Sequence, residues 1–240
     1  MIATFKELVR EAAARGADVV CLQEFTLSPY FASVIDEANY KWAEPLQGGE
    51  SDQVFGELAR ENGVYLIGSL FEHDEAHGRY WDTATIHNPD GRLHAYTRKV
   101  HIPQGDGYHE DHYFKGSDIF PVHDVAGVQM SVPTCYDQWF PEMSRICALN
   151  GAEFIFYPTA IGSEPTNPEV DTKEAWQMVM RGQAIANGVC IAAANRTGTE
   201  GVEFYGSSFV CDPMGNIIAE ASRDQTEVIT AELDPAFFAE

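Results

Sequence analysis

An α/β layered domain with mixed sheets is the fold class that the 240-residue sequence predicts. Segments with helical periodicity alternate with short apolar runs through the early and middle chain, and turn signals then join neighbouring apolar runs into hairpins. No Pro/Gly/Ser linker, low-complexity tract or repeat divides it, so residues 1–240 read as a single domain.

Phe5, Leu8, Val9, Ala12 and Ala13 recur at helical spacing, and Gly16 closes that segment. Asp18-Val-Val-Cys-Leu22 is short, apolar and β-branched, as a buried strand should be. Val54 to Asn62 predicts a second helix, and Gly63 to Phe71 a second strand. Ala84-Thr-Ile-His87 predicts a third strand, followed by the turn Asn88-Pro-Asp-Gly91 and a strand ending near Tyr96. Val125 to Val132 predicts one strand. Pro141 to Asn150 predicts a helix, with proline in its first turn and Gly151 just past its end. Phe154 to Tyr157 is the next strand, Thr172 to Asn187 a helix, and Val189 to Ala194 a strand. Two strands flank the turn Asp212-Pro-Met-Gly-Asn216, and Glu227 to Ala231 predicts the last.

Fifteen basic residues against 37 acidic give a net charge of −22. Such a chain repels nucleic acid phosphates and anionic membrane, and neither is an expected partner. Few lysines and many carboxylates also suit solubility in high salt, where carboxylate repulsion is screened. No apolar run reaches the roughly 18 residues of a membrane span, and Met1-Ile-Ala-Thr-Phe-Lys6 lacks the pattern of a cleaved signal peptide. The cysteines number five, without a C-x-x-C pair, which argues against a disulfide framework or thiolate zinc site and points to a reducing cytoplasm.

Three residues stand out chemically. Cys135 lies between a strand and a Pro-started helix, where a helix dipole would favour its thiolate. Lys99, just after a strand, is one of only five lysines. Glu24 ends a buried strand, a usual place for catalytic groups in α/β sheets. Singly, each has a plainer reading: an inert buried thiol, a solvated lysine, a surface carboxylate. Together they supply what thiol attack on an amide-type carbon needs. Glu24 would be the base, Lys99 the cation facing the oxyanion and Cys135 the nucleophile, with the Tyr136 backbone N–H a second oxyanion donor.

These segments resemble the nitrilase (carbon–nitrogen hydrolase) superfamily, whose Glu-Lys-Cys triad occurs in this order. The matching stretches are Ser28-Pro-Tyr-Phe31, Arg98-Lys-Val-His-Ile-Pro103, Gly107-Tyr-His-Glu-Asp-His-Tyr-Phe114, Cys135-Tyr-Asp-Gln-Trp-Phe-Pro-Glu142, the run from Gly151 to Pro165, and Phe204-Tyr-Gly-Ser-Ser-Phe209. Among its subgroups, the N-carbamoylputrescine amidases look most similar. The resemblance implies a four-layer α-β-β-α sandwich with mixed sheets, self-association into homodimers or larger assemblies, and no cofactor or metal. It also implies a fourth participant, Glu110, which would position Lys99 and the substrate amine. Members of the superfamily open with an apolar strand before the first helix. This sequence starts within that helix, so one sheet edge should be exposed. Tyr136 stands where the subgroup usually has tryptophan.

The implied substrate is a linear ureide or amide, N-carbamoylputrescine above all, whose ammonium needs a paired carboxylate. Glu164 is the candidate, with Asp137 second, and Tyr30 and Tyr136 would line the alkyl path. Other substrates of the superfamily, ω-amides or β-ureidopropionate, would need a cationic clamp, for which Arg98, Arg145, Arg181 and Arg196 are available. Two further alternatives are a non-catalytic binding member and a metal site built from His109, His112 and His101.

Overall fold

The computed structural model describes residues 2–167 and 169–233. Helix α1 (Ile2–Ala14) leads to strand β1 (Val19–Cys21), then α2 (Glu50–Asn62), β2 (Tyr65–Asp74), β3 (Arg79–His87) and β4 (Leu93–Arg98). A short helix α3 (Glu110–Tyr113) precedes β5 (His123–Val125) and β6 (Val128–Ser131). Helix α4 (Pro141–Leu149), β7 (Phe154–Pro158), α5 (Lys173–Asn187), β8 (Cys190–Ala194), β9 (Phe209–Cys211) and β10 (Ile217–Glu220) follow.

Among the described residues the strands form two mixed sheets, in the orders β1-β2-β3-β4 and β10-β9-β8-β7-β6-β5. Alternation along each strand explains their stacking. Ile67 of β2 and Ala84 and Ile86 of β3 face Met130, Phe154 and Cys190 of the other sheet. Their neighbour Leu66 turns the opposite way, onto Phe5, Val9, Phe55 and Leu58 of α1 and α2. Ile155 and Tyr157 of β7 likewise turn onto Met143 and Cys147 of α4 and Trp176 and Met180 of α5. The result is the expected α-β-β-α sandwich, each fully buried large apolar side chain contributing roughly 1.5–3 kcal/mol.

Several boundaries differ from the sequence reading. β2 and β3 run on to a hairpin that pairs Asp74 with Arg79, further than their apolar stretches suggested. The stretch from Val125 to Val132 is a hairpin, not one strand: Ala126 and Gly127 both take positive φ (56° and 85°), and Val125 pairs with Val128. Two positive-φ residues in succession suit a tight hairpin turn, and glycine makes the second inexpensive.

Glu227 to Ala231 joins no ladder, contrary to expectation. This segment and β1 line a common groove of about 1280 Å³, together with Phe5, Leu8, Met130 and Phe156, instead of pairing with each other. A ladder needs a strand alongside to take up its N–H and C=O groups. Here Arg15 Nη1 reaches the Val228 carbonyl at 2.7 Å. Among the described residues β1 is an edge strand of its sheet. No helix among them is long and apolar enough to cross a membrane.

Candidate active site

The site lies where the two sheets meet at one end of the sandwich. Glu24 follows β1, Asp82 lies on β3, Lys99 follows β4 and Glu110 opens α3. Antiparallel pairing of Thr83 with Arg98 brings Asp82 beside Lys99, whose backbone N–H donates to the Asp82 carbonyl at 2.9 Å. From the other sheet, β6 ends at Ser131 and a 3-10 turn, Cys135–Trp139, begins at the cysteine.

Lys99 is 1% exposed, and Glu24 and Glu110 are fully buried. The Lys99 ammonium donates to Glu24 Oε1 at 2.7 Å and to Glu110 Oε2 at 2.5 Å. Asp82 Oδ2 lies 3.1 Å from the same nitrogen. Burial alone would lower the Lys99 pKa, but Glu110, Glu24 and Asp82 outweigh it and hold the ammonium well above its ordinary value. Glu24 is held well above the carboxylate range: burial is the chief cause, Lys99 opposes it, and Asp82 and Glu110 add to it. Glu110 is raised in the same way.

Cys135 has φ of +41°, a left-handed conformation that is costly for any residue with a Cβ. The turn it opens is pinned from both sides. Asp137 accepts the Thr134 N–H at 3.1 Å and the His101 N–H at 2.8 Å, so the loop carrying the cysteine is tied to the loop carrying the lysine. The thiol is in electrostatic contact with Glu24, Lys99 and Glu110. Burial first, then Glu24, push its pKa well up, with Lys99 opposing. Burial thus favours the neutral thiol, where the sequence suggested a thiolate favoured by a helix dipole. The helix dipole expected to favour the thiolate is missing, because a five-residue 3-10 turn begins there, and Lys99 alone does not offset burial.

A buried ammonium bonded to two carboxylates, with a strained thiol beside it, is equipped for nucleophilic attack on an unreactive carbonyl. The sequence model of carbon-nitrogen hydrolases matches residues 1–240. The chain belongs to the carbon-nitrogen hydrolase family. It is 40% identical to N-carbamoylputrescine amidase from Arabidopsis thaliana over 97% of this chain and 81% of that protein. It is 38% identical to citrullinase from Francisella tularensis over 97% of this chain and 83% of that protein. A crystal structure of a carbon-nitrogen hydrolase from Helicobacter pylori G27 superposes with a TM-score of 0.85 at 34% identity, covering 94% of this chain and 81% of that one.

Against this family background, each expected site residue has a definite place. Glu24, Lys99, Glu110 and Cys135 converge. Tyr30 joins them, its hydroxyl donating to Glu110 Oε1 at 3.0 Å. Asp137 does not serve as expected: it is fully buried, and Oδ1 and Oδ2 are taken up by Thr134, Val100 and His101. Its charge is spent on backbone N–H groups, where a substrate ammonium cannot compete. Tyr136 packs on Phe140, with ring centroids 5.2 Å apart. Glu164 sits in a loop pressed against residues 203–204. A Cβ added to Gly162 would lie 2.1 Å from the Glu203 carbonyl, so glycine permits the approach. Glu164 acts electrostatically on Tyr108, which in turn feels Cys135.

The histidines do not gather. His101 stacks on Phe140 and bonds Asp137, while His112 pairs with Glu37. Among the described residues, the group that could surround a cation is Glu24, Asp82 and Glu110, and the Lys99 ammonium already contacts all three.

Sequence reasoning missed Asp82, Ser69 and the role of Arg196. Ser69 donates to Asp82 Oδ1 at 3.2 Å and accepts the Phe25 N–H at 3.1 Å. Arg196 donates to the carbonyls of Glu24, Phe25 and Ser28 and to Glu200, fastening the loop behind Glu24. A serine inside apolar β2 and an aspartate inside β3 carry no sequence signal of their own, whereas an arginine just past a strand end does invite attention.

Proposed function

We propose that this enzyme hydrolyses the terminal ureido C–N bond of N-carbamoylputrescine or a close cationic relative, with Cys135 as nucleophile. The observation that carries the reading is the buried Lys99 ammonium bonded to Glu24 and Glu110 beside the Cys135 thiol. In this mechanism Glu24 takes the thiol proton as sulfur attacks the ureido carbon. Lys99 has three N–H donors, and two are committed to Glu24 and Glu110. The third, with the Tyr136 backbone N–H, faces the developing oxyanion. Glu110, held by Tyr30, orients Lys99 and the substrate amine. Ammonia leaves with the proton returned by Glu24, and a carbamoyl thioester forms. Water activated by Glu24 then releases a carbamate, which yields carbon dioxide and the free amine.

A cationic substrate is supported by where the arginines go. Arg98 binds Glu72 and Asp74, Arg145 the Ala186 carbonyl, Arg181 the Gly215 carbonyl, and Arg196 the loop behind Glu24. A substrate carboxylate would need one of them free. Glu164 is the proposed partner of the ammonium, and Tyr30 and Tyr136 the walls of the alkyl path. The test is a panel of N-carbamoylputrescine, citrulline, β-ureidopropionate and ω-amides, read by ammonia release. N-carbamoylputrescine should give the highest kcat/KM. Glu164→Gln should raise its KM about tenfold or more, the worth of one partly desolvated ion pair, and leave neutral amides unaffected. An unchanged KM would remove Glu164 from this role, and a carboxylate-bearing substrate leading the panel would overturn the substrate assignment.

Cytoplasmic location and self-association belong to the same proposal. All five cysteines are free, as a reducing compartment allows. Met178 and Ile185, 65% and 58% exposed, lie two turns apart on one face of α5 and suit contact with a second copy. Sedimentation should show a dimer or larger assembly that Met178→Glu/Ile185→Glu shifts toward the monomer.

A further inference from the structure

Two carboxylate oxygens at the heart of the site lack any donor. Glu24 Oε2 and Asp82 Oδ2 are both buried without a hydrogen-bond partner. Asp82 Oδ2 is only 3.1 Å from the Lys99 nitrogen, yet it accepts no N–H from it. Asp82 is also one of the groups that raise the Glu24 pKa. Oxygens from Glu24, Asp82 and Glu110 all lie within 4.8 Å of one another. Three ionised carboxylates around one ammonium would leave uncompensated negative charge in a dry interior, where it costs several kcal/mol and like charges repel. Two neighbouring orphan acceptors can be satisfied by one hydrogen between them.

We infer that Glu24 and Asp82 share one proton, and that Asp82 is a positioning residue that keeps this proton in store for Glu24. Three carboxyl groups and one ammonium then carry a net charge of −1 rather than −2. Ser69 holds Asp82 Oδ1 and also the Phe25 N–H, so the Asp82 carboxyl and the Glu24 loop are set at a fixed separation. Building on the proposed mechanism, the proton accounting closes. When the S–H bond breaks and the S–C bond forms, the thiol proton passes to Glu24 and the stored proton moves onto Asp82. When the C–N bond breaks, Glu24 gives one proton to the departing nitrogen and takes the stored one back. Asp82 touches neither substrate nor sulfur in this scheme.

Asp82→Asn tests it, because the amide keeps the shape and can keep the Ser69 bond but cannot hold the proton. Infrared difference spectra of wild type and Asp82→Asn near neutral pH read the proton without any need for turnover. The wild type should show the C=O stretch of a buried neutral carboxyl that the variant lacks. A wild type without that band, or a variant that retains it, overturns the inference. With Asn in place, the acidic limb of the kcat/KM profile should move down by about one pH unit or more, since Glu24 loses a like charge and gains an N–H donor. A limb that stays in place would leave Asp82 a purely structural group and equally defeat the inference. Should the substrate assignment fail on the panel, the infrared result still decides this question.

Discussion

Cys135→Ala should abolish ammonia release from every substrate on which the wild type acts, a loss of at least about 10⁴-fold in kcat. The fold should survive, because the change deletes one sulfur atom and leaves the bonds that shape the turn. Those bonds run from the Thr134 and His101 backbone N–H groups to Asp137. Cys147 supplies the control. It is a buried thiol on α4 with its pKa pushed up to about 11, chiefly by burial, and it packs in the apolar cluster with Tyr157 and Trp176. Cys147→Ala should cost some stability and leave kcat within a few-fold of wild type. Equal loss of turnover in the two variants would remove Cys135 from its proposed role. Circular dichroism on both proteins separates lost chemistry from lost structure.

Lys99→Met should abolish turnover and also lower stability by about 3–5 kcal/mol, the usual cost of stripping the partner from a buried ion pair. Methionine fills similar volume but leaves Glu24 and Glu110 facing Asp82 with no cation. The loss should depend on pH in a defined direction. Without the ammonium, the folded-state pKa values of Glu24 and Glu110, already raised by burial, rise further above their unfolded values. Their contribution to stability is then fully present only below about pH 4, the unfolded carboxylate range, and is lost as pH climbs through the folded values. The ammonium of the wild type works in the opposite range, since its folded pKa lies above the unfolded one. Its contribution persists up to the ordinary lysine value and fades only at higher pH. Urea unfolding should therefore find the variant nearer to wild type at about pH 5 than at about pH 8. A deficit that is the same at both would mean that the three carboxyl groups are not competing for Lys99.

The layered fold was legible because local pattern and global packing agree. Period-2 alternation in β2 sends Leu66 to the helices and Ile67 to the other sheet, and a reader of the sequence can see both as apolar. Glu24, Lys99 and Cys135 were legible because each places a reactive group just past a predicted strand, and Lys99 is one of only five lysines. Asp82 was not, since its importance depends on the register that sets β3 against β4, a long-range pairing that no local window contains. Asp137 misled for the converse reason. Its closeness to the nucleophile in sequence suggested substrate contact, but the 3-10 turn swings its carboxylate back onto Thr134 and His101. The Ala126-Gly127 reversal was hidden between Val125 and Val128 in a mostly apolar stretch, where alanine in a positive-φ position gives no warning.

Glu24, Asp82 and Lys99 hang from one sheet, whereas Cys135 is delivered by the other. Neither half of the polypeptide therefore owns the reaction. Catalytic competence is a property of the seam, and slippage of one slab over the other by the length of a single bond would silence the enzyme while leaving each slab intact. Turnover in such a molecule doubles as a gauge of how firmly its two halves are clasped.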